Sequence, residues 1–326
     1  MNWKKSIAVA LSAVTIMAMV AGCGSNTATN DQKKIGVIQL VEHPSLDAAN
    51  KGFVDGLASK GYKDGQNIKI DQQNAQGDQS NLNSIAQRFV SDKKDLVLAI
   101  ATPAAQTMAN ATHDIPIMGT AITDYVTAKL VQSNERPGGN VSGTSDMTPV
   151  EKQVDLIMAL VPNVKRIGAI YTSSEINSQL QVEKMKAYAA SKGITVVEAT
   201  VSNVNDIQQA ATNLVNQDVQ AIYTPTDNVL ASAMANLAQI TDAAKIPVFA
   251  ADEGMTMTGG VATYSVDYYQ LGYQTGLMAA KVLAGEAKIA DLPIETQKDI
   301  KLTVNEERAK KLGITIPDEL RKDMKQ

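Results

Sequence analysis

Lys34-Ile35-Gly36-Val37-Ile38 returns later in the chain as Arg166-Ile167-Gly168-Ala169-Ile170, and Ser59-Lys60-Gly61 returns at the same offset as Ser191-Lys192-Gly193. Further on, Ala99-Ile100-Ala101-Thr102-Pro103 is echoed by Ala221-Ile222-Tyr223-Thr224-Pro225, and Ile115-Pro116-Ile117 by Ile246-Pro247-Val248. The offset drifts slightly in these later pairs, as small insertions and deletions in loops would make it. Two copies of one β–α unit in a single chain predict two similar lobes, and the space between such lobes is a natural place for a ligand.

Outward from the repeat, apolar strand-like runs alternate with helical patterns, which predicts an α/β protein of two Rossmann-like lobes, each a parallel sheet with helices on both faces. Strands are expected near 34–40, 68–72, 96–101 and 116–120, then near 166–171, 195–199, 221–224 and 247–250. Leu46, Ala49, Phe53 and Leu57 recur at helical spacing and Gly61 ends that helix. Ser174 reads as the N-cap of a helix over 175–190. Asn205 reads as the cap of a helix over 206–216, whose buried stripe is Ile207, Ala211, Leu214 and Val215. Three interlobe crossings are expected, near Thr148-Pro149, over 261–265 and over 291–296. A long helix over 267–283 has no counterpart after the first copy's fourth strand and is expected to return to the first lobe. The division is therefore 34–146 plus 266–294 for lobe I and 147–265 plus 295–326 for lobe II.

The N-terminus is separate from this pattern. Lys4 and Lys5 precede a nearly unbroken apolar run over 7–20, closed by Val20-Ala21-Gly22-Cys23. The run is about 14 residues, short of the roughly 20 that span a bilayer, so 1–22 reads as a cleaved secretory signal. Cys23 is the only cysteine, which excludes an intrachain disulfide. The pattern resembles a bacterial lipobox and implies diacylglyceryl transfer to the Cys23 sulfur, with acyl chains of the palmitate type holding the protein at the extracytoplasmic face of the cell membrane. The alternative is a free cysteine beside an ordinary cleavage site. The following segment to residue 33 lacks large apolar residues and reads as a tether that reaches about 30 Å.

The chain has 326 residues, 44% hydrophobic and 20% charged, which is ordinary for a soluble globular protein. Its net charge is −4, and cleavage would remove two lysines more, so general affinity for nucleic acid is disfavoured. No GxGxxG, P-loop, GxSxG or HExxH pattern is present, and His43 and His113 belong to no metal-spaced cluster. No cofactor, metal or catalytic residue is expected.

Ligands of open parallel sheets bind at the carboxyl ends of the strands. The six loops expected there are 41–45, 102–105 and 121–124 in the first lobe, and 171–174, 226–228 and 252–254 in the second. Thr102-Pro103-Ala104 is a candidate anion site, because a proline at the first helical position leaves neighbouring N–H groups aimed at a carboxylate. A helix cap uses the same groups, so position alone does not separate the two readings. Thr123 and Asp124 add polar groups on that side. Asp227 and Asp252 are candidates for an ammonium group, with Asp252 first. His43 and Ser45 lie in a cleft loop. A ligand with an anionic and a cationic end, such as an amino acid, fits donors on one lobe and acceptors on the other.

At this point the residues resemble a known family. The lipobox, Glu42-His43-Pro44-Ser45-Leu46-Asp47, Gly52-Phe53-Val54-Asp55-Gly56-Leu57, Pro137-Gly138-Gly139-Asn140-Val141-Ser142-Gly143 and Ser265-Val266-Asp267-Tyr268-Tyr269-Gln270-Leu271-Gly272 look like the ABC-transporter substrate-binding lipoproteins that take tryptophan, tyrosine or phenylalanine. The resemblance covers nearly the whole mature chain. It implies a type I periplasmic-binding-protein fold, closing like a flytrap on an aromatic amino acid and delivering it, as a monomer, to a membrane permease driven by a separate ATPase. By position, Thr102 and Thr123 match carboxylate-side contacts and Asp252 an ammonium-side contact, with Asn228 and Ser173 as further carry-overs. Tyr171, Tyr125 and Tyr264 are candidates for the side-chain pocket, with core packing as the alternative for each. Other small polar ligands (a nucleoside, a sugar, a branched-chain amino acid) or a role as adhesin or sensor are the competing readings.

Overall fold

The computed structural model describes residues 32–324; the expected signal segment, Cys23 and nearly all of the tether lie outside the described residues. The first lobe opens with β1 (Lys33–Gln39), α1 (Pro44–Ser59), β2 (Ile68–Asn74), α2 (Gln79–Ser91), β3 (Leu96–Ile100), α3 (Thr102–Ala111), β4 (Ile117–Ile122) and β5 (Val141–Ser145). The chain then crosses into the second lobe through α4 (Val150–Leu160), β6 (Arg166–Thr172), α5 (Ile176–Ser191), β7 (Thr195–Val201), α6 (Ile207–Val215), β8 (Ala221–Thr224), α7 (Asn228–Ser232), α8 (Met234–Ala243), β9 (Val248–Ala250) and α9 (Glu253–Gly259). It finishes with β10 (Ala262–Ser265), α10 (Tyr268–Leu283), β11 (Glu295–Thr296), β12 (Lys301–Val304), α11 (Glu306–Lys311) and α12 (Asp318–Arg321).

The first sheet has the order β11-β5-β4-β3-β1-β2 and is parallel throughout; the second has the order β7-β6-β8-β9, also parallel, and β10 pairs antiparallel with β12. Such strands are covered on both faces, which is why Leu96–Ile100 reads as an unbroken apolar run and is buried at every position.

The repeated residues have the same physical reason in each lobe. A Cβ on Gly36 of β1 would strike the ring of Phe89 from α2, and one on Gly168 of β6 would crowd Leu214 from α6. The missing side chain lets the covering helix lie close on the sheet. Gly61 and Gly193 follow α1 and α5 with φ of +88° and +71°, the left-handed turn that stops a helix without a Cβ penalty.

Helix starts in the second lobe differ from expectation. α5 begins one residue later than expected, with Glu175 rather than Ser174 as its N-cap. The helix expected from 206 begins as a 3-10 turn capped by Asn203, whose side chain accepts from the Asn205 N–H; Val215 is only half-buried, while Ile207, Ala211 and Leu214 are buried. No side chain caps α5, whereas at the next helix two asparagines offered caps and Asn203 is the one used.

α10 returns to the first lobe, as its lack of a counterpart predicts. Leu271 and Met278 are buried in one apolar core with the first sheet. Gly272 and Gly276 of α10 face Ala49, Phe53 and Gly56 of α1 so closely that the two backbones touch. The second lobe's cores hold α4, β6, β8 and β12. β11 pairs with β5, so the third crossing follows Thr296 rather than lying within 291–296. There the Asp267 N–H donates to Gln297 Oε1 at 2.9 Å and Gln297 Nε2 donates to the Asp267 carbonyl at 2.6 Å, tying two crossing strands together.

Candidate functional site

The carboxyl ends of both sheets converge on a nearly closed cavity of about 10 Å³. Lobe I and its crossings supply His43, Thr123, Asp146 and Tyr268; lobe II supplies Asn177, Asp227, Asn228 and Asp252. The lobes touch around it. Ser45 Oγ donates to Asp252 Oδ1 at 2.7 Å, the Thr123 and Thr226 hydroxyls share a bond at 3.1 Å, and His43 Nε2 lies 3.4 Å from Asn228 Oδ1.

Asp146 sits where the chain leaves β5 for the second lobe. Tyr268 Oη donates to its Oδ2 at 2.7 Å, while its Oδ1 is buried without a partner. Burial, assisted by the charge of Asp252, raises its carboxyl to about 6 despite the tyrosine bond. Asn177, in the first turn of α5, donates its amide to the Thr226 carbonyl at 2.8 Å and likewise leaves its Oδ1 buried and unpartnered. Buried acceptors without donors are rare in folded proteins, because each forfeits its hydration. Two of them on one cavity define a place for a hydrogen-bond donor.

Asp227 has a different use. Its Oδ2 accepts from the Thr172 N–H and Ser178 Oγ, and its Oδ1 from Thr172 Oγ1 and the Leu230 N–H, so its four acceptor positions are filled by the protein. It caps α7 and ties the ends of β6 and β8 together. Glu175, buried beside it, accepts from the N–H and the side-chain amide of Asn228. Burial, then the charge of Asp227, pushes Glu175 up to about 8. Burial lowers His43 and keeps its ring neutral, although Asp252 opposes the shift.

His43, Thr123, Asp227, Asn228 and Asp252 are the sequence candidates that meet on the cavity. The others stand elsewhere. Ser45 is spent on Asp252, Asp124 accepts from the Thr127 N–H at 2.7 Å, and Ser173 is exposed with its hydroxyl on the Val201 carbonyl. Thr102 is buried at the start of α3 but does not cap it: the cap position is Ala101, at φ 81° and ψ 153°, with no side-chain bond to the first turn. Ala104 is in the core, and Pro103 walls a second space. This outer groove, about 740 Å³, runs between the lobes, shares Asn228 with the inner cavity and includes Leu40, Val41, Leu130, Val204 and Val229.

The three candidate tyrosines line neither space. Tyr125 is fully buried and donates to the Thr144 carbonyl, Tyr171 donates to Glu198, and Tyr264 donates to Asp323. Tyr268, which stands in a stretch that carries the resemblance, and Asp146, Asn177 and Glu175 are site residues that no local signal in the sequence marks. The first two flank crossings and the last two belong to a helix start, where no periodicity marks a side chain that faces a cavity. Among the described residues, no group of His, Cys, Asp or Glu side chains is placed to hold a metal, and no helix is long and apolar enough to cross a membrane.

Residues 34–326 match the model of the family described as ABC transporter substrate binding protein. A tyrosine-binding protein of Clostridioides difficile (strain R20291) is 45% identical over 95% of this chain and 93% of the relative. The crystal structure of an ABC domain from Streptococcus pneumonia in complex with L-Trp is 45% identical, covers 90% of this chain and 99% of its own, and superposes with a TM-score of 0.87. The ligand-free, open structure of a Clostridium difficile substrate binding protein with adhesive properties, 46% identical with 90% and 98% coverage, superposes at 0.68.

Proposed function

The chain belongs to the ABC transporter substrate binding protein family, and we propose that it captures an aromatic amino acid between its lobes and delivers it to a membrane permease driven by a separate ATPase. The observation that carries this reading is the pair of buried, unpartnered oxygens, Asp146 Oδ1 and Asn177 Oδ1, on one cavity. An ammonium group brings N–H donors and a positive charge, and both are what a buried carboxylate and a buried amide oxygen lack. Asp252 adds its charge nearby. For the carboxylate we assign the uncapped start of α3, where the Thr102 and Ala104 N–H groups have no side-chain cap and Pro103 walls the outer groove, and the Thr123 hydroxyl on the inner cavity, while Asp124 is an acceptor and takes no part. The outer groove offers apolar wall for a large side chain, and Val204 remains 45% exposed there. The tyrosine named for one relative and the L-Trp bound to another agree with an aromatic ligand.

In this reading the protein performs no chemistry on its ligand, acts as a monomer, and is held outside the cytoplasm by lipid on Cys23. Trp3, the only tryptophan, would leave with the signal, so the mature protein would add no tryptophan emission of its own. Titration with L-tryptophan, competed by L-tyrosine and L-phenylalanine after refolding to strip carried-over ligand, tests the claim. Absence of heat and of fluorescence change with all three would overturn it. Adhesion is a second reading, favoured by the adhesive properties of one relative; loss of attachment with uptake intact, on deletion, would support it.

A further inference from the structure

Ser45 and Gly254 meet across the lobes at a point beside the cavity that neither of them lines. Ser45 lies in the first turn of α1, which begins with Pro44 and has His43 at its cap position without a side-chain cap bond. Opposite stands Asp252, the cap of α9. Its Oδ1 accepts from the Met255 N–H at 2.8 Å and from Ser45 Oγ at 2.7 Å, so one oxygen closes the start of its own helix and reaches the start of a helix in the other lobe. A carboxylate between two helix N-termini is favoured by both dipoles.

The approach depends on Gly254. A Cβ there would stand 2.5 Å from Ser45 Oγ, closer than real side chains come, and 3.2 Å from the Ser45 nitrogen, a tight contact. Its backbone φ is not in the left-handed region, so space alone calls for glycine. α1 is in turn packed backbone to backbone on α10 of lobe I through paired glycines. The two relatives of nearly equal identity differ in the same respect as whole shapes: the L-Trp complex superposes at 0.87 and the ligand-free, open form at 0.68.

We propose that Ser45, Asp252 and Gly254 form an interlobe latch that sets how long the ligand stays, with Ser45 and Gly254 acting as positioning residues that do not touch it. The latch forms only when the lobes meet, so it slows dissociation and leaves association nearly unchanged. Its effect on ligand retention rests on the reading of the cavity as an amino-acid site. Its geometry does not.

The test is stopped-flow binding of L-tryptophan and L-tyrosine to wild type, Ser45→Ala, Gly254→Ala and the double variant. Ser45→Ala should raise the off-rate about tenfold, as loss of a hydrogen bond to a charged group does. Gly254→Ala should raise it more, and adding Ser45→Ala to Gly254→Ala should recover part of that loss by removing the hydroxyl that the new methyl strikes. An unchanged off-rate in Gly254→Ala, or losses that simply multiply in the double variant, would overturn the latch. If wild type binds neither amino acid, the proposed ligand fails, and the latch is then read without ligand from the Ser45→Cys/Asp252→Cys protein under oxidation. Linked peptides found by mass spectrometry support the approach of these residues; their absence overturns it.

Discussion

Gly272 of α10 lies with its α-carbon against the backbone carbonyl of Ala49 in α1, with no room between them for a methyl group. Gly52, Gly56 and Gly276 repeat the relationship along the same helix pair, so α1 and α10 are joined backbone to backbone.

Gly272→Ala therefore cannot be relieved by a rotamer change. It should destabilise the fold by about 1–3 kcal/mol, the usual cost of overpacking, and lower the midpoint of urea unfolding. Because α1 carries Ser45 and α10 carries Tyr268, ligand affinity should fall with it. Gly285→Ala, at an exposed position with no atom within 4 Å of the new Cβ but with φ of +72°, should cost only local turn strain and leave affinity alone.

Asp227 and Asn177 line one cavity, yet the two should respond oppositely. Asp227→Asn replaces an acceptor of four bonds with a group that has two donors, and should cost about 2–4 kcal/mol of stability in denaturant titration. Asn177→Ser forfeits the amide bond to the Thr226 carbonyl, which should cost about 1 kcal/mol, and removes one acceptor from the proposed ammonium site. Calorimetry should show weaker binding of L-tyrosine, about tenfold or more.

Acid should separate the stability of the empty protein from its affinity. Asp146 is raised by burial to about 6, above the roughly 3.9 of an unfolded aspartate. Its contribution to stability is then fully present below about pH 4 and is lost as pH rises through about 6. Affinity for an ammonium ligand runs the other way, because the neutral acid no longer balances the charge. Calorimetric titration should show affinity weakening below about pH 6 towards tenfold per unit, and a flat profile would remove Asp146 from the site.

Tyr268→Phe moves that profile. Loss of the Oη bond to Asp146 Oδ2 removes the larger of two side-chain hydroxyl interactions that hold the carboxyl down, Thr123 supplying the other, and raises its pKa further. The acid limb should shift upward by about one pH unit, with affinity near pH 8.5 little changed. A uniform loss at every pH would assign Tyr268 to packing alone.

The fold was legible where the sequence repeats. Gly36 and Gly168, Gly61 and Gly193 mark the same strand and the same helix end twice, and local geometry dictates glycine at each. The return of α10 to the first lobe followed from its having no partner in the repeat. The site was legible only in part. His43, Thr123, Asn228 and Asp252 follow strands, where ligands of parallel sheets gather. Asp146 and Tyr268 flank lobe crossings that are brought together from distant parts of the chain, and nothing local records the meeting. Ser45 stands at the edge of an expected cleft loop, but its hydroxyl finds Asp252 of the other lobe, 207 residues away in the chain, which nothing local records.

The glycine seam between α1 and α10 also governs the order in which the molecule can be completed. α1 is among the first elements synthesised and α10 among the last, with most of the second lobe made between them. The face of α1 that carries Gly52 and Gly56 has no partner until then, and neither does the edge of β5 that waits for β11. Such non-local pairing is slow to close. A nascent chain interrupted before residue 296 has neither half finished, because the first lacks β11 and the second lacks β12, so folding of the whole awaits the arrival of its final thirty or so residues.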